Sequence, residues 1–173
     1  MNLLEQFKQI RTFVFDVDGV LTDGDLLILD DGQMVRKMNI KDGYALQLAL
    51  KRGYRVVVIS GGTSEAVRDR LNKLGVADVF LKVHNKKEVL TQYIMEHQLS
   101  WSEVLFMGDD IPDYIIMKMV GLPCSPADAA PEIKQISFYI SALKGGYGCA
   151  RDVIEKVLKL NDDWPMDTTV SSK

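Results

Sequence analysis

Short apolar runs that stop abruptly at polar residues set the tightest limit on how this chain folds. Thr12–Phe15, Arg55–Ile59 and Val104–Met107 are strand-sized, and Asp16, Ser60 and Gly108-Asp109 follow them directly. Asp78–Leu81, Leu122–Cys124 and Tyr139–Ile140 read as further short strands. Between them lie segments of helical pattern: Ser64–Leu74 closed by Gly75, Lys86–His97, a helix with Pro112 in its first turn that ends near Gly121, a helix opened by Pro131, and Cys149–Leu160. Asn2–Ile10 reads as a short amphipathic helix, and Asp42 is expected to cap a helix running to about Arg52, stopped by Gly53. Strands alternating with helices imply parallel βαβ units, and so an α/β fold built on a doubly wound parallel sheet. Leu26–Leu29 and Met34–Met38 flank the turn-forming Asp30-Asp31-Gly32 and form a β-hairpin insertion spanning about residues 25–38. Residues 1–160 are expected to form one domain, with 161–173 a polar, loose tail.

The 173 residues suit one core of ordinary size. A net charge of −3 gives no basic field for nucleic acid or an anionic membrane. No apolar stretch approaches a membrane span, and the first residues lack the pattern of a signal peptide, so a cytoplasmic location is expected. Cys124 and Cys149 fit two reduced thiols in such a compartment.

Open α/β sheets bind ligands beyond the carboxyl ends of their strands. The unusual polar residues of this chain fall there. Asp16 and Asp18 follow the first strand, Ser60-Gly61-Gly62 the Arg55–Ile59 strand, and Asp109-Asp110 the Val104–Met107 strand. Lys86 opens the helix after Asp78–Leu81. Each alone is ordinary: a solvated turn, a helix cap, a helix start. Together they bring carboxylates, a hydroxyl and an ammonium to one rim. Asp16, Asp109 and Asp110 are hard oxygen ligands of the kind magnesium prefers. Ser60 and the N–H groups of Gly61 and Gly62 suit phosphate oxygens, and Lys86 neutralises charge where carboxylates and phosphate meet. The set fits phosphoryl transfer, in which an aspartate can serve as nucleophile.

The motifs DVDGV (16–20), Ser60, Lys86 and GDDIPD (108–113) resemble those of the haloacid dehalogenase (HAD) superfamily over about residues 10–160. The resemblance implies Asp16 as nucleophile and Asp18 as general acid/base. It also implies Ser60 and Lys86 as phosphoryl-binding residues, and Mg2+ held by Asp16, the main-chain carbonyl of Asp18, and Asp109. Asp110 and Asp113 would orient Asp109 and Lys86 from behind. An aspartate at position 18 points to a phosphatase. The spacings from Asp18 to Asp42 and from Ser60 to Lys86 leave no room for a cap domain. A capless site stays open unless a neighbouring subunit covers it, or its substrate is a macromolecule.

LTDGDLLILDDGQMVRKMNIKDGYAL and ALKGGYGCARDVIEKVL are similar to segments of the 3-deoxy-D-manno-octulosonate 8-phosphate (KDO 8-phosphate) phosphatases. Lys144, Gly145, Gly146, Gly148 and Arg151 match the C-terminal motif. That likeness implies a homotetramer whose hairpins assemble together, a sugar-acid phosphate substrate, and a place in lipopolysaccharide precursor synthesis. Many such relatives carry Thr-Gly-Arg where this chain has Ser60-Gly61-Gly62. Lys41, Arg68 or Arg70 could then substitute for the missing arginine on the sugar-acid carboxylate. The departure also leaves open a nine-carbon sugar-acid phosphate. The same residues are compatible with a non-catalytic HAD-like oligomerisation module. A polynucleotide phosphatase is disfavoured by the acidic net charge, and a receiver domain by its different motif order. His84, in the loop before Lys86, and His97 read as incidental.

Overall fold

The structure, a computed structural model, describes residues 2–171. Among them β1 (Thr12–Phe15), β4 (Arg55–Ile59), β5 (Asp78–Phe80), β6 (Val104–Met107), β7 (Leu122–Ser125) and β8 (Tyr139–Ile140) form one sheet. The strand order is β5-β4-β1-β6-β7-β8, and every pair is parallel. All six carboxyl ends therefore lie along one rim. The remaining strands, β2 (Leu27–Ile28) and β3 (Met34–Val35), pair antiparallel as an isolated hairpin.

Pleating sends alternate side chains of the central strands into two cores. Phe13, Phe15, Val56, Val58, Leu105 and Met107 pack beneath α1 (Leu3–Gln9), α2 (Ile40–Lys51), α3 (Glu65–Lys73) and α7 (Cys149–Leu160). Val14, Val57, Ile59, Val104 and Phe106 face the opposite layer of α4 (Lys86–Glu96), α5 (Tyr114–Met117) and α6 (Pro131–Ile136). Burial on both faces explains why these strands read as continuous apolar runs. Cys124 and Cys149 are buried and free.

The structure departs from the sequence reading in four places. The hairpin strands, Leu27–Ile28 and Met34–Val35, are shorter than expected, although the Leu29 N–H still donates to the Gln33 carbonyl at 2.9 Å. The helix expected after Pro112 is broken into a 3-10 turn, Ile111–Asp113, and the short α5. Asp42 does not cap α2. Asn39 does so, its side chain accepting from the Lys41 N–H at 2.8 Å. Asp42 lies one turn in, buried, and accepts from the Arg151 N–H at 2.8 Å. It thus caps α7, whose own N-cap residue, Gly148, has no side chain to do so. Residues 161–171 lie along α2 and α7. Trp164 packs edge-on to Tyr44 and beneath the Arg151 guanidinium, and Lys51 pairs with Asp167 at 2.7 Å. Residues 172 and 173 of the expected tail lie outside the described residues.

Candidate active site

β1 delivers Asp16 to the rim, where the chain leaves the strand in one wide turn, Val17–Leu21. Gly19 in that turn has φ +86°, and a side-chain carbon there would collide with the Asp109 carboxylate. Glycine is required twice over: for the left-handed conformation and for the approach of the β6 loop. The turn is braced from below by the C-terminal segment of the same chain. Gly146 N–H donates to Val20 O at 2.9 Å, and a side chain on Gly145 would strike the Gly19 carbonyl.

Asp16, Asp18, Ser60, Gly61, Gly62, Lys86, Asp109, Asp110 and Asp113 line one cavity of about 540 Å³. Lys86 Nζ lies 3.0 Å from Asp16 Oδ2 and 2.7 Å from Asp113 Oδ1, all three side chains being nearly fully buried. Burial works against the ammonium, yet the two carboxylate charges beside it outweigh that and raise its pKa. The Asp113 Oδ2 atom accepts from the N–H groups of Asp109 and Asp110, so this side chain ties the β6 loop to Lys86. Asp110 accepts from the Ile111 N–H and starts the turn that follows. Ser60 is not a helix cap. Its Oγ accepts from the Gly62 N–H at 3.0 Å, while Ser64 caps α3. The Gly62 N–H is therefore committed within the loop.

Burial, and then the charge of Asp113, push the Asp16 carboxyl up to about 7 against the pull of Lys86. Asp109 is likewise pushed up to about 7, by burial first and then by the charges of Asp16, Asp113 and Asp110. Among the described residues the Asp109 carboxylate accepts no hydrogen bond. Asp16, Asp109 and Asp113 each offer an oxygen, and these atoms lie within 4.8 Å of one another. Such crowding of hard, partly buried carboxylates fits a divalent cation, which removes the repulsion and lets the acids ionise.

Some expected residues are not brought to this cavity. Lys41 lines a different one, beside Tyr147 and Arg151. Arg68 is held by Glu65 at 3.0 Å and by the Val79 carbonyl at 2.7 Å. Arg70 lines a neighbouring cavity between the hairpin and α3. His84, which reads as incidental in the sequence, lines the acidic cavity, in a loop pinned by Val83 N–H to Ser60 O at 3.1 Å. Arg36 is the residue that sequence reasoning missed. From the end of the hairpin it grips the Asp18 carboxylate, with Nε to Oδ1 at 2.6 Å and Nη2 to Oδ2 at 3.2 Å. No local pattern marks Arg36, which sits in a hairpin of otherwise exposed residues.

A parallel sheet with no cap domain, whose rim gathers two strand-following aspartates, a serine loop, a lysine and an acidic loop, defines a HAD-type hydrolase of phosphoric monoesters. No protein-family model matches the chain. It is 30% identical over 157 residues to the Escherichia coli (strain K12) protein named 3-deoxy-D-manno-octulosonate 8-phosphate phosphatase KdsC, covering 91% of this chain and 84% of that protein. The crystal structure of the phosphatase of the same name from Yersinia pestis superposes with a TM-score of 0.91 at 28% identity, over 93% of this chain and 87% of that one. That of the Moraxella catarrhalis phosphatase, in complex with magnesium, phosphate and KDO, gives 0.88 at 28% identity, over 91% and 90%. The chain belongs to the KDO 8-phosphate phosphatase family.

Proposed function

We propose that this chain is a magnesium-dependent phosphatase that converts KDO 8-phosphate to KDO and phosphate, in lipopolysaccharide precursor synthesis in the cytoplasm. The observation that carries this reading is the convergence of Asp16, Asp18, Ser60, Lys86 and Asp109 on one cavity, in a chain whose relative from Moraxella catarrhalis was crystallised with magnesium, phosphate and KDO. Asp16 attacks phosphorus and forms an aspartyl-phosphate as the ester oxygen departs. Asp18 gives that oxygen a proton, then takes one from the water that cleaves the acyl-phosphate. Ser60 and Lys86 hold the phosphoryl oxygens, and Asp113 keeps Lys86 in place. Mg2+, held by Asp16, Asp109 and the Asp18 main-chain carbonyl, would neutralise the charge that builds up on the phosphoryl group.

The proposed assembly is a homotetramer built on the hairpins. Leu27 and Ile28 are 63% and 69% exposed and Met34 is 55% exposed, an apolar surface on a two-stranded unit that is marginal alone. Gly62 favours a second reading of the substrate, a nine-carbon sugar-acid phosphate, because the loop carries no side chain there. A panel of phosphate esters including eight- and nine-carbon sugar acids tests both. Phosphate release from KDO 8-phosphate is expected with Mg2+, and none with EDTA or with Asp16→Asn, whose circular dichroism spectrum stays that of the parent. Turnover retained by Asp16→Asn removes the nucleophile assignment.

A further inference from the structure

Arg36 occupies both oxygens of Asp18, and that contact constrains the proposed reaction. Asp18 so held has neither carboxylate oxygen open to a departing ester oxygen. The pair must part before Asp18 serves as an acid, and something must take its place at Arg36.

The surroundings of Arg36 indicate what that is. Its Nη1 donates to Met34 O at 3.2 Å, so the pair with Asp18 and this bond engage three of its five N–H groups. Arg36 also lines a second cavity, of about 580 Å³, between the hairpin and the start of α3. Arg36 lines this cavity and Asp18 the acidic one, so their pair links the two linings. Arg36 and Arg70 both line the second cavity, together with the polar Gln33, Thr63 and Ser64, and none of the described residues lining it is acidic. Its size, with the Arg36 guanidinium on its lining, suits the body of a sugar acid. The dividing wall is low because position 62 is glycine. A side-chain carbon there would lie 3.3 Å from Asp18 Oδ2 and 3.5 Å from Arg36 Nη2.

We infer that the hairpin–α3 cavity seats the carboxylate-bearing end of the substrate, and that Arg36 is the positioning residue that exchanges Asp18 for that carboxylate. This rests on the phosphatase reading above and adds a coupling to it: recognition of the distant carboxylate frees the acid. Released, Asp18 takes a proton from solvent and gives it to the ester oxygen, then takes one from the attacking water and returns it to solvent as the product leaves and Arg36 closes on Asp18 again. Esters without a carboxylate leave Arg36 on Asp18 and turn over slowly.

Steady-state kinetics of wild type, Arg36→Ala and Arg36→Lys on KDO 8-phosphate and on glucose 6-phosphate, which has no carboxylate, test the coupling. In Arg36→Ala the KM for KDO 8-phosphate is expected to rise about tenfold or more, the usual scale for a lost charged hydrogen bond. The kcat for glucose 6-phosphate is expected to rise, so that the preference between the two esters shrinks. Arg36→Lys keeps a cation without the fork and should recover part of the KM, which also covers a misfolded alanine variant. Calorimetric titration with free KDO gives a readout independent of turnover, and its affinity should fall by a similar factor in Arg36→Ala. Equal losses on both esters, or unchanged KDO binding, overturn the inference while leaving the phosphatase reading intact. Wild-type protein inactive on KDO 8-phosphate with Mg2+ overturns the reading itself.

Discussion

Lys86 shows how much one side chain carries. It is the buried cation between Asp16 and Asp113, with Asp109 beside them. Removing one partner of a buried ion pair leaves uncompensated charge, at a cost of about 3–5 kcal/mol. Lys86→Met is therefore expected to lower kcat by about a hundredfold or more, the scale for losing one preorganised donor to a developing charge. Its metal-free melting temperature should fall more at pH 8 than at pH 5, because the carboxylates relieve their repulsion by taking up protons at the lower pH. Calorimetry at the two pH values reads the difference directly. An equal loss at both would mean that Lys86 matters for packing rather than charge.

At the scale of elements, α7 depends on a residue of α2. Asp42 Oδ1 caps α7 through the Arg151 N–H, while Oδ2 is buried without a hydrogen-bond partner among the described residues. Burial pushes this carboxyl up to about 6 from the ordinary 3.8. Between those values the folded chain keeps a proton that the unfolded chain has released, so stability falls as pH rises through this window and stays lowered above it. Asp42→Asn keeps an acceptor for α7 without the charge. It is expected to match wild type near pH 4 and to exceed it by about 2–3 kcal/mol at pH 8, the size of a two-unit shift. Denaturant unfolding across pH tests this, and a constant difference between the two proteins would remove the Asp42 explanation.

At the scale of the whole molecule, the hairpin is the part that the chain leaves unfinished. Its strands have two residues each and expose apolar side chains on both. The paired substitution Leu27→Glu with Ile28→Lys puts charge on that surface and leaves the sheet and both cores untouched. If the proposed tetramer is built on this surface, sedimentation is expected to show a shift from tetramer toward monomer, with the far-ultraviolet spectrum unchanged. A tetramer of undiminished stability would place the interface elsewhere. No helix among the described residues is long and apolar enough to cross a membrane.

The sequence by itself determined the strands, most of the helices, and the rim at which chemistry is possible. Thr12–Phe15, Arg55–Ile59, Val104–Met107 and Cys149–Leu160 fall as read, because burial on both faces leaves a continuous apolar run and burial on one stripe a periodic one in the residues themselves. Asp16, Ser60, Lys86 and Asp109 were legible for a related reason: a polar residue directly after a buried strand has few places to go. Tertiary structure alone decided the rest. Arg36 reaches Asp18 from a hairpin, Asp42 caps a helix more than a hundred residues away, and Gly145 and Gly146 support the turn that holds Gly19. These contacts join segments whose local patterns are satisfied without them. No periodicity records them, and only the packing of one element on another sets the distance.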